Sequence, residues 1–60
     1  MELWIARDKS GVLALYPDKP MKMDDIWDSD NWFVLDRASF PEVTFENSPM
    51  EVELVIMKSL

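Results

Sequence analysis

The sequence predicts a mainly β fold: a small single-domain antiparallel sheet, or a partly open barrel, of about five short strands with at most one short helical turn. Three observations carry this prediction. Apolar residues recur with a period of two in several separate runs. The only glycine stands where a hairpin turn needs one. Proline and Asp/Asn/Ser clusters divide the runs into pieces too short for helices.

The runs ELWIAR (2–7) and VLALY (12–16) are rich in strand-forming residues and are separated by DKSG. Asp8 suits the first position of a type I turn, and Gly11 suits the left-handed position that closes such a turn with a bulge, so the pair predicts a β-hairpin. Pro17 and Pro20 end the pairing, because neither has an N–H to donate and each restricts the residue before it. The acid-rich stretch DDIWDSDNW (24–32) then reads as the loop leading to a third strand, WFVLD (32–36), with Trp32 entering that strand. A helix over KMDDIWDSDNWF is disfavoured, since Asp, Asn and Ser compete for their own backbone. RASFP (37–41) reads as a turn. EVTFE (42–46) and MEVELVIM (50–57) supply a fourth and a fifth strand, the last with Val52, Leu54 and Ile56 on one face and Glu51 and Glu53 opposite.

Strand 2–7 is unusual in being apolar on both faces, Leu3 and Ile5 on one and Trp4 and Ala6 on the other. A second layer is hard to supply from so short a chain, so barrel closure, a homodimer or a partner surface is the expected cover. Folding sixty residues buries only about 60% of the surface of the unfolded chain. With no cysteine there is no disulfide to help, so the core must rest on hydrophobic packing, for which three Trp, three Phe, one Tyr and five Met are a large apolar complement.

Composition also bears on function. The chain has neither histidine nor cysteine, hence no imidazole base, no thiol nucleophile and no nitrogen or sulfur metal ligand of the usual kinds. No enzyme activity and no cofactor are expected. The segment DSDN (28–31) echoes the start of a calcium loop, but Phe33 stands where that loop needs its glycine and Ser39 where it needs its glutamate, so no metal site is expected. The net charge is −6, and residues 23–57 alone hold nine acids against Arg37. Such a segment repels phosphate, so neither direct nucleic-acid binding nor membrane binding is expected. An acid at position 2 with Arg7 and Asp8 close behind does not suit a signal peptide, and lack of cysteine fits a cytoplasmic setting.

The segments WIARDKSG (4–11), the KP at 19–20 and FPEVTFENSPMEVEL (40–54) together resemble small uncharacterised proteins encoded in prophages and mobile elements of gut bacteria. Those proteins begin with a similar IARDK-G hairpin and end with a similar FPEV…EVEL segment. The likeness covers both ends of the chain and leaves out DDIWDSDNW. It assigns no role to any residue, and it implies a phage or mobile-element accessory protein.

The expected function is therefore that of a small acidic protein that binds another protein. Trp4, Trp27 or Trp32 would anchor the contact, and Asp24, Asp25, Asp28 and Asp30 would form its charged rim. The alternative is a DNA-mimic inhibitor, whose carboxylates would occupy the cleft of a nucleic-acid-binding protein.

Overall fold

A computed structural model describes residues 2–56. Among them the fold is all β, with six short strands: β1 Glu2–Arg7, β2 Leu13–Tyr16, β3 Met21–Met23, β4 Ile26–Asp28, β5 Phe33–Leu35 and β6 Met50–Glu53. They form two open antiparallel sheets, a four-stranded one in the order β5-β2-β1-β6 and a two-stranded ribbon of β3 and β4. No barrel closes.

The β1–β2 hairpin forms as its turn residues dictate. Gly11 N–H donates to the Asp8 carbonyl at 2.9 Å, and Asp8 N–H donates to Val12 at 2.8 Å. Gly11 has φ +100°, the left-handed conformation that glycine adopts without penalty.

Both faces of β1 are indeed covered, but by the chain itself. Registers Trp4↔Tyr16 and Ala6↔Ala14 put these four residues on one face, and Ile5↔Leu15, Arg7↔Leu13 and Ile5↔Met50 build the other. On the first face two opposed alanines leave a shallow place in which the Trp27 indole of the ribbon packs beside Tyr16. On the second, Ile5 and Leu13 pack against Val43, with Leu35, Met50 and Val52 around them.

Several expectations are corrected by these elements. Half of the presumed loop DDIWDSDNW belongs to a hairpin: Met21 to Met23 pair with Ile26 to Asp28 around a two-residue turn at Asp24 and Asp25. Asp24 takes φ +55°, which a short polar side chain tolerates. The expected strand 42–46 is a series of turns instead. The Thr44 and Asn47 side chains each accept the other's backbone N–H, at 3.2 and 2.8 Å, which substitutes local bonds for a ladder. Val43 faces the Ile5 cluster whereas Phe45 packs on Trp27 across the sheet, so two residues that alternate in sequence lie on different faces. The final strand stops at Glu53; Leu54, Val55 and Ile56 are exposed, and Met57 lies outside the described residues. The third strand begins at Phe33, with Trp32 just before it.

Arg7 holds the 37–43 segment against the sheet. Its guanidinium donates to five backbone carbonyls: Val43 from Nε at 2.6 Å, Gly11 and Arg37 from Nη1 at 2.8 and 2.9 Å, and Ser39 and Phe40 from Nη2 at 2.9 and 3.1 Å. That uses every N–H of the group. Beyond β6 the ladder is continued by a side chain, as Arg7 N–H donates to Ser48 Oγ at 2.9 Å and that hydroxyl donates to Thr44 at 2.6 Å.

Candidate functional site

The ribbon is docked on the hairpin at two points. Lys9 N–H donates to the Asp25 carbonyl at 2.9 Å, and Trp27 N–H donates to Asp8 Oδ1 at 2.8 Å. A third bond, from Tyr16 Oη to the Trp27 carbonyl at 3.1 Å, ties β4 to β2. The 3.9 Å ion pair of Lys9 with Asp25 is solvent-exposed and adds little.

This docking opens a cleft of about 200 Å³ between the ribbon and the sheet. Its walls are Tyr16, Ile26, Trp27 and Trp32, and two carboxylates, Asp8 and Asp28, stand at them. Val34 extends the wall along β5, on the face it shares with Ala14. None of the lining residues is basic. The acids are felt inside: the Tyr16 phenol is pushed above its ordinary pKa of 10.0, first by burial and then by the negative charges of Asp8 and Asp28.

The three tryptophans have different settings. Trp27 is half-buried, packs on the Ala6–Ala14–Tyr16 cluster and stands 6.2 Å from the Phe45 ring. Its indole N–H is buried without an acceptor, which costs on the order of 1–3 kcal/mol, so packing rather than a polar bond holds the ring. Trp4 is half-buried too, and the Lys19 ammonium lies 5.3 Å from its ring centroid, a cation–π contact made within the chain. Trp32 is 51% exposed. Of the aspartates, Asp24, Asp25, Asp28 and Asp30 are all exposed; Asp28 closes β4 beside the cleft, and Asp24 and Asp25 form the ribbon's turn at its far end. The structure thus brings together Trp27, Trp32 and Asp28 and leaves Trp4 outside. Among the described residues no three acidic side chains converge as a metal site requires.

Sequence reasoning missed Asp8 and Tyr16 at this cleft. Asp8 was absorbed by its role in the turn, and Tyr16 by its role as a core aromatic. The only sequence signal was the spacing of MKM and IWD around two residues, and Asp-Asp lacks the glycine or asparagine that marks a two-residue hairpin loop.

On the opposite face a larger apolar groove of about 470 Å³ runs between Phe40 and the strands, floored by Ile5, Leu15, Met50 and Val52. No protein-family model, curated protein or solved structure matches the chain. No helix among the described residues is long and apolar enough to cross a membrane.

Proposed function

We propose that this protein acts by binding another protein, as a cytoplasmic accessory protein without catalytic chemistry of its own. The contact surface is the Trp32 side of the molecule. The observation that carries this reading is the exposure, at 51 and 66%, of Trp32 and Val34, which border one cleft at the β5 edge of the sheet, while Phe33 is exposed on the sheet's other face. Aromatic surface of this kind, flanked by Asp28 and Asp30, has the make-up of an interface core with a charged rim. The absence of histidine and cysteine and the chain's net charge of −6 agree with binding rather than catalysis.

The test is affinity capture of a partner by the intact protein and by Trp32→Ala, with thermal unfolding of both measured alongside. Loss of the partner by a variant that unfolds at the same temperature supports the reading, and equal capture by a folded Trp32→Ala rejects it.

A further inference from the structure

We propose that the cleft between Trp27 and Trp32 receives one arginine or lysine side chain from a basic segment of the protein partner. This deepens the contact surface described above and rests on it. The cleft combines what a cation needs. Trp27 and Trp32 offer aromatic surface, whose π faces attract positive charge at a range of about 6 Å, with the buried Tyr16 behind them. Asp8 and Asp28 provide formal negative charge beside those rings. One Asp8 oxygen already accepts from Trp27 N–H, and the Asp28 carboxylate accepts no hydrogen bond among the described residues, so carboxylate oxygens remain for an incoming donor. A volume of about 200 Å³ suits the end of one long side chain rather than a whole helix or strand.

The protein's own lysines show the same chemistry nearby. Lys19 sits over Trp4 at 5.3 Å and Lys22 over Phe45 at 4.9 Å. These two aromatic faces are supplied with a cation from within the chain. The cleft beside Trp27 and Trp32 is lined by no lysine or arginine, although two carboxylates flank it. Charge complementarity therefore selects a basic partner segment over an apolar one. A neutral apolar segment would take water from the Asp8 and Asp28 carboxylates and supply no countercharge, at a desolvation cost.

The experiment titrates the full-length protein with three short synthetic peptides, identical except for a central arginine, lysine or citrulline. The indole N–H resonances of Trp27 and Trp32 are followed by NMR. Citrulline keeps the shape of arginine and removes the charge. The expected result is saturable movement of both resonances with the arginine and lysine peptides, affinity about tenfold weaker for citrulline, and progressive loss as salt is raised. Asp28→Asn should weaken the arginine peptide, whereas Glu42→Gln, which removes an equal charge beside the groove on the opposite face, should not.

Equal response to arginine and citrulline, or equal effects of Asp28→Asn and Glu42→Gln, would overturn the proposal. The two readings fail separately. If Trp32→Ala abolishes partner capture while the peptides do not discriminate, the contact surface stands and the cation cleft falls. If the peptides discriminate and capture ignores Trp32, the cleft chemistry stands and the contact surface falls.

Discussion

Arg7 Nε donates to the Val43 carbonyl at 2.6 Å, and this bond joins the central strand of the sheet to the segment that completes its second core. Val43 is 2% exposed although it lies in no strand, so the Ile5–Leu13 cluster depends on a turn segment held from outside by one guanidinium. Arg7→Lys keeps the charge but has three donors on one atom and cannot reach five carbonyls spread from Gly11 to Val43. The expected loss is about 2 kcal/mol, given that hydrogen bonds to charged groups contribute roughly 1.5–3 kcal/mol and that several of these carbonyls can be hydrated instead. Urea denaturation measures the loss, and hydrogen exchange should show the 37–43 amides opening before the strands. Coincident urea curves for Arg7→Lys and the parent would remove Arg7 from this role.

Gly11→Ala tests the hairpin turn. A methyl group at Gly11 would meet only the Arg37 guanidinium, at 3.6 and 3.8 Å, which is ordinary contact. Any destabilisation therefore comes from the backbone, which at φ +100° is strained for every L-residue. A loss of about 1–2 kcal/mol is expected, lowering the melting temperature by roughly 4–8 °C for each kcal/mol in a domain of this size. An unchanged melting temperature would show that the turn relaxes freely.

That turn was legible because its chemistry is local: aspartate and glycine set the backbone three residues apart whatever the rest of the chain does. β1 and β2 were legible from strand-forming composition and the turn between them rather than from alternation, since both of their faces are covered. Alternation misled at 42–46, because Val43 and Phe45 serve two different cores as the chain passes the edge of the sheet beside Arg7 and Ser48. Nothing in five residues distinguishes that path from a strand. The ribbon was hidden for the opposite reason: four aspartates look like solvent-facing loop, although three-residue strands with one indole turned inward need little apolar content. The cover of both β1 faces was likewise unreadable, since it depends on where two irregular segments fold back. At the cleft, Trp27, Trp32 and Asp28 were legible as types, and Asp8 and Tyr16 joined them only through the docking of ribbon on hairpin.

Glu53→Lys is expected to stabilise the protein. Glu53 stands directly opposite Glu2 in the β1–β6 register, and like charges in that position repel. Reversing one of them converts repulsion into attraction across the pair, a gain of about 0.5 kcal/mol at low ionic strength that fades as salt screens it. Any Glu→Lys change also relieves the general excess of acid, so Glu46→Lys, in an exposed turn residue, is the control. A gain for Glu53→Lys no larger than for Glu46→Lys would show that the cross-strand pair has no specific effect.

Tyr16 is expected to make stability fall at alkaline pH. It is 3% exposed and donates to the Trp27 carbonyl, and its pKa in the folded state is raised above 10.0 by burial and by Asp8 and Asp28. The folded protein therefore holds the phenol proton more tightly than the unfolded chain does. Stability from this group is fully present below pH 10.0 and is lost as pH rises from there through the folded-state pKa, where phenolate must form beside two carboxylates. Tyr16→Phe should lower stability at neutral pH by about 1 kcal/mol through the missing hydrogen bond. It should also flatten the alkaline decline, so that the two proteins converge as pH rises. Urea midpoints of both proteins from neutral to strongly alkaline pH, with tyrosinate absorbance followed in parallel, check the two effects separately. Parallel declines in the two proteins would assign the alkaline loss to lysine deprotonation and not to Tyr16.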